Sequence, residues 1–170
     1  VLEGEDSRGI DNAVISKYTI SKSKIHKIDL RGIAKKTRGI LEVKINIGYK
    51  NLTILANHWP SQGNQTAARL KAARTLRTVA RNLSSDLILA LGDFNTVEPR
   101  DNPNPLKTIT EKDFYNAQEI AIKLGTTVAE GSHWYAGHWG SLDKMYVYKQ
   151  SSANSVVLFN SFEIIKKDFM

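Results

Sequence analysis

Leu87, Ile88, Leu89, Ala90 and Leu91 form an unbroken apolar run that stops at Gly92, Asp93, Phe94 and Asn95. A short continuous run of this kind reads as a β-strand covered on both faces, so the chain must lay protein on either side of it. Strand side chains alternate with a period of two, which points Asp93 and Asn95 to the same side at the strand's end. A carboxylate beside a carboxamide suits hydrolysis of a phosphate ester. The Asp can hold or deprotonate a water and the Asn can donate a hydrogen bond, while a divalent ion neutralises phosphoryl charge. Gly, Asp and Asn at a strand end are also ordinary turn residues, with side chains that bond nearby backbone amides, and both readings stand at this point.

Two further strand ends offer comparable chemistry. NHWPSQG at residues 57–63 closes an apolar segment and precedes a helical one. His58 there can contact phosphate or exchange a proton near neutral pH, or be satisfied locally with Trp59 in the core. GSLDKMYV at 140–147 places Asp143 at the start of a strand-like run, where it can orient a histidine or cap a turn.

The surrounding pattern supplies a frame for these ends. NAVISKY at 12–18, a segment near Ile25 to Leu30, and ILEVKINI at 40–47 read as strands. NLTILANHW at 51–59 is then the second arm of a hairpin through Gly48, and Gly32 to Thr37 is an exposed loop. Residues 65–83 carry Ala67, Leu70, Ala73, Leu76, Val79, Ala80 and Leu83 at helical spacing, with Asn64 or Thr66 as cap. Pro99, Pro103 and Pro105 break regular structure in a loop expected to lie over the site, and 111–124 reads as a second helix. Two short strands joined through Gly137 and Gly140 span SHWYAGHWGSLDKMYVY, and VVLF at 156–159 starts another. The fold class is α/β in the α+β sense, with mixed, mainly antiparallel sheets and helices outside them.

At 170 residues the chain is read as a single domain, 1–170, large enough for a core, and with 41% hydrophobic and 24% charged residues it is globular. The absence of cysteine excludes disulfides and thiolate metal ligands. No stretch is long and apolar enough to span a membrane, so a soluble protein is expected, in the cytoplasm or secreted. Charge is segregated. Residues 1–83 carry 16 Lys and Arg against 6 acids, a net +10, whereas 84–143 carry 4 against 9, a net −5. A basic half beside an acidic segment fits a polyanionic substrate near a cation site, and fits an ordinary soluble surface too. Arg74, Arg77 and Arg81 share one helix side, as a solvated face or as the contact surface of a non-catalytic nucleic-acid-binding module.

Taken in order, these motifs resemble the endonuclease/exonuclease/phosphatase superfamily, which includes deoxyribonuclease I, apurinic endonucleases, inositol polyphosphate phosphatases and bacterial sphingomyelinases. DSRGIDNAVISKY, RGILEV, ANHWPS with the Ala- and Arg-rich helix, LILALGDFN, and the run through Tyr135, Gly137, Trp139, Leu142 and Asp143 carry the resemblance across nearly the whole chain. It implies a partial four-layer α/β/β/α sandwich and a metal-dependent phosphoesterase or nuclease using Mg²⁺ or Mn²⁺, with Ca²⁺ as a further option. Asp93 would orient the attacking water and touch the metal, Asn95 would bind the transition-state phosphate, His58 would contact phosphate, and Asp143 would support a catalytic histidine. Asn57, Arg8, Arg38 and Trp139 are the substrate-binding candidates. The substrate would be a phosphate ester, with DNA or RNA ahead of small or lipid phosphates, and no obligate protein partner is expected.

The family's Glu metal ligand has no counterpart before Val1 and its Ser-Asp-His motif none before Met170. The resemblance therefore implies a domain lacking its first and last strands, weakly active or inactive by itself. His133 and His138 precede the Asp143 motif and are not expected to replace the missing histidine.

Overall fold

A computed structural model of the chain describes residues 4, 6, 8–97, 100–126 and 131–150. Among the described residues, eight strands and three helices run in the order β1(Ile20–His26), β2(Ile40–Ile47), β3(Lys50–His58), α1(Thr66–Arg81), β4(Leu87–Asp93), α2(Pro105–Thr110), β5(Phe114–Asn116), α3(Ala117–Lys123), β6(His133–Tyr135), β7(His138–Gly140) and β8(Asp143–Tyr148). Six strands form one sheet in the order β1-β2-β3-β4-β8-β5, and β6 pairs with β7 in a separate hairpin. Among the described strands, only β3 and β4 run parallel; the other pairs are antiparallel.

The sheet is built by alternation. In β2, Leu41, Val43 and Ile45 face one side with Ala56 of β3, forming one apolar cluster with Val14 packed against it. Ile40, Leu55, Trp59, Ile88, Ala90 and Phe94 face the other side, against Ala68, Ala72, Ala73 and Leu76 of α1. Small alanines let the helix axis approach the sheet closely, and α1 thus becomes the crossover that the parallel β3–β4 pair requires. Gly48, at φ 60°, lies in the two-residue turn that closes β2 onto β3. Of the four layers expected, the described residues form the six-stranded sheet and the helical layer against it, with the β6–β7 hairpin beside them.

Several expected elements move. Residues 12–18 form no strand: Asn12 Nδ2 instead donates to the Gly39 and Ala56 carbonyls at 3.1 and 3.2 Å, and Val14 packs over the sheet without pairing. The first strand begins at Ile20 and ends before the expected Leu30. Residues 111–124 are not one helix, because the buried Asp113 and Phe114 turn inward and β5 pairs with β8. Pro105 begins α2, capped by Asn104, since a proline at the first helical position gives up no needed N–H. Helix α1 starts after Gln65 with no side-chain cap, and Thr66 bonds Asp101 instead. The expected strand at 156–159 lies outside the described residues.

The shared side of Arg74, Arg77 and Arg81 is also divided. Arg77 Nε and Arg81 Nε both donate to the buried Asp113 carboxylate, at 2.5 and 2.7 Å. Two of the three charges expected on an open face are neutralised within the fold.

Candidate active site

Three strand ends meet in one row of the sheet. His58, the last residue of β3, is the Cα partner of Asp93, the last residue of β4, and Asp93 is in turn the partner of Asp143, the first residue of β8. Backbone bonds fasten this row: Trp59 N donates to the Asp93 carbonyl and Phe94 N to the Leu142 carbonyl, both at 2.9 Å. Beneath it, Phe94 is fully buried and stands edge-on to Trp59 and Tyr146, with centroids 4.8 and 5.0 Å away. Such aromatic packing holds the strand ends in place.

His58 Nε2 lies 3.6 Å from Asp93 Oδ2, and both side chains are partly exposed. That separation is beyond a direct hydrogen bond. Burial holds the His58 imidazole below its ordinary pKa, and the nearby Arg38 charge pushes the same way, while Asp93 and Asp143 partly oppose them. The neutral imidazole is therefore favoured, which keeps an acceptor nitrogen available. The other Asp93 oxygen, Oδ1, accepts the Asn95 backbone N–H at 2.8 Å.

The alternation expected for Asp93 and Asn95 ends with β4. Asn95 has a left-handed backbone at φ 46°, is 7% exposed, and its Nδ2 donates to the Trp59 carbonyl at 3.0 Å. Both residues still border one cavity of about 550 Å³, which Trp139, His133, Tyr135 and His138 line from the β6–β7 hairpin. The two histidines set aside by their sequence order thus share a cavity with Asp93, because the hairpin directly precedes the strand paired to β4. No local sequence pattern reveals that adjacency.

Arg8, Arg38 and His58 border a second cavity of about 580 Å³, which meets the first at Ser61. Arg8 is held by Asp6 through two bonds of 3.0 and 2.9 Å. Arg38 is 9% exposed, and its Nε is buried without a hydrogen-bond partner, as is Thr37 Oγ1 beside it. Asn57 faces the core: its Nδ2 donates to the Leu55 carbonyl at 2.7 Å and its Oδ1 accepts from Trp59 Nε1 at 2.9 Å. The structure therefore brings His58, Asp93, Asn95, Trp139, Arg8 and Arg38 around two joined cavities, sets Asp143 beside Asp93 in the strand row and turns Asn57 away from the cavities.

A supporting network escaped the sequence reading. The buried Asp101 accepts from Arg69, Gln62 and Thr66 side chains and from Val97 N, and Gln62 Nε2 also donates to the Asn95 carbonyl. Asp101 thereby ties the loop after Asn95 to the start of α1. Among the described residues no group of three His, Cys, Asp or Glu side chains is arranged to hold a metal ion. Asp93 alone offers one carboxylate, which suits a hard cation that takes its other ligands from water and phosphate oxygens.

The model of the endonuclease/exonuclease/phosphatase family matches residues 2–170. The chain belongs to this family. Its members are generally hydrolytic phosphoesterases and nucleases that depend on divalent metal. A β-hairpin deletion mutant of beta toxin from Staphylococcus aureus superposes with a TM-score of 0.62 at 16% identity, covering 89% of this chain and 58% of that one. Sphingomyelinase C from Streptomyces griseocarneus gives 0.58 at 14% identity, covering 81% and 52%. TDP2 from D. rerio, complexed with a single-strand DNA product, gives 0.58 at 13% identity, covering 81% and 55%. These likenesses show the fold, and the chain spans just over half the length of each structure. No curated protein sequence matches. Among the described residues no helix is long and apolar enough to cross a membrane.

Proposed function

We propose that this family member hydrolyses phosphodiesters at the row formed by His58, Asp93 and Asp143, with Mg²⁺ or Mn²⁺ as cofactor. The juxtaposition of these three side chains on adjacent strand ends carries the reading. A divalent ion on Asp93 would neutralise phosphoryl charge. The chain's own residues do the rest. Asp93 Oδ2 orients the attacking water, with Oδ1 fixed by the Asn95 N–H. An amide NH₂ has two hydrogens, and with one on the Trp59 carbonyl the other is left to Asn95 for a phosphate oxygen. His58, kept neutral, contacts the phosphate, and the Arg38 guanidinium supplies positive charge from the adjoining cavity.

Hydrolysis of bis(p-nitrophenyl) phosphate by the full chain tests this. Activity that requires Mg²⁺ or Mn²⁺ and is lost in Asp93→Ala supports the reading. A rate indifferent to EDTA, or preserved in Asp93→Ala, refutes it.

A further inference from the structure

The cavity beside His58 does not end there. It shares Ala34 and Lys36 with a third concavity of about 400 Å³, and that one shares Lys27 with a fourth of about 420 Å³. The fourth lies between the sheet's edge strand and α1, and Lys24, Lys27, Lys71 and Arg74 border it. A furrow of adjoining concavities therefore leads from His58 past Arg38 to the middle of α1, at Lys71 to Val79.

Its charge is almost wholly positive. Asp29 borders the middle section and is engaged by Arg31 through bonds of 2.8 Å, and Asp6 is engaged by Arg8. Glu42 beside the far section is buried and pairs with His26 at 2.6 Å. Lys24, Lys35, Lys71 and Arg74 add positive charge to the walls. Nearest the site, the buried Arg38 Nε and Thr37 Oγ1 lack hydrogen-bond partners. Buried donors are rarely left unsatisfied, and their position in the cavity wall fits an anionic oxygen as the missing partner.

We infer that this furrow is a binding track for a single-stranded nucleic acid, with one backbone phosphate at Arg38 and Thr37 and later phosphates along Lys36, Lys27, Lys71 and Arg74. The inference rests on the proposed phosphodiesterase site and extends it to a polymeric substrate. A concave, linear run of cations matches a chain, whereas a bilayer presents a plane. On the opposite flank of Asp93, the exposed Tyr135 and Trp139 offer rings on which bases stack. Of the three arginines on the shared helix side, Arg77 and Arg81 pair with Asp113, and Arg74 with Lys71 borders the furrow.

Fluorescence anisotropy with a labelled 20-nucleotide single strand tests the track on the intact chain. Lys24→Gln, Lys71→Gln and Arg74→Gln combined should weaken binding about tenfold and lower the salt slope by about 2. Thr78→Glu, which puts a negative charge in the same groove, should weaken it too. Both variants should hydrolyse bis(p-nitrophenyl) phosphate as the parent does. Unchanged oligonucleotide affinity overturns the track, as does a loss seen only in binding to phosphatidylserine vesicles. If no small phosphodiester is cleaved, the proposed activity fails while the anisotropy result still decides the track.

Discussion

Replacing Asp101 by Ala should cost this fold about 3–5 kcal/mol, the toll of stripping one partner from a buried charge pair. The Asp101 side chain is wholly buried and that of Arg69 is 2% exposed, with Arg69 Nη2 2.5 Å from Asp101 Oδ1. Desolvation by itself would raise the Asp101 pKa. The bonds from Arg69, Gln62, Val97 N and Thr66 outweigh it and hold the group at about 2. Measured from the ordinary value of 3.8, that depression corresponds to roughly 2 kcal/mol of stability at neutral pH. Truncation costs more than the pKa implies, because the Arg69 guanidinium stays buried on the Pro60, Ser61 and Asn64 carbonyls without a counter-charge. Urea unfolding at pH 7 reads the effect, with the midpoint falling by about 2 M at an m-value near 2 kcal/mol/M. The pair Arg69→Met with Asp101→Leu should recover most of the loss. A depressed carboxylate stabilises above its unfolded pKa and loses that contribution as pH falls through its folded one. The gap between parent and variant should therefore narrow by roughly 2 kcal/mol from about pH 4 to about pH 2. A midpoint shift worth less than about 1 kcal/mol, or a double variant no better than the single, refutes the account.

Gly92 has φ 124°, and a Cβ there would stand 2.1 Å from the Asn57 carbonyl oxygen, so Gly92→Ala should destabilise by about 3 kcal/mol or more. Thermal unfolding checks it, and a variant as stable as the parent contradicts the close approach of β3 and β4. Asn57→Ala should cost about 1–3 kcal/mol by leaving the Trp59 indole N–H unpaired, with KM for the small phosphodiester unchanged. A raised KM with normal stability would return Asn57 to the ligand. Removing the Arg38 charge in Arg38→Met should raise the His58 pKa toward 6.5, read by NMR titration of the imidazole. The neutral form then persists over a narrower range, and a pKa that stays put or falls contradicts the assigned cause.

Strands β2, β3 and β4 and helix α1 were legible because each carries its burial pattern within its own residues. Alternation in ILEVKINI and the apolar run at Leu87–Leu91 needed no tertiary knowledge. NAVISKY shows the same local pattern without a strand, because Asn12 spends its carboxamide on two carbonyls of the sheet and leaves Val14 as a cover. Phe114 and Asn116 sat inside an apparent helix because β8 lies far along the chain and only its Tyr146 and Tyr148 define their pairing. The same limit applies at the site. Motifs at His58, Asp93 and Asp143 were visible as separate strand ends. Their alignment in one row depends on β8 inserting next to β4, and the Arg69–Asp101 pair joins residues with no shared local pattern.

The end of β4 shows why alternation misjudged Asn95 and still located the site. Had the strand continued, Asn95 would have stood beside Asp93, and both polar groups would have competed for the same solvent. The left-handed turn at Asn95 separates their tasks. The Asn95 backbone N–H fixes Oδ1 of Asp93, its side chain anchors on the Trp59 carbonyl, and Gln62 holds its own carbonyl from the loop that Asp101 tethers. Asp93 is left with one oxygen, Oδ2, directed toward His58. Turn chemistry and the proposed water-orienting carboxylate, alternatives in the sequence, are compatible in this arrangement: the turn fixes one carboxylate oxygen and leaves the other for the role proposed above.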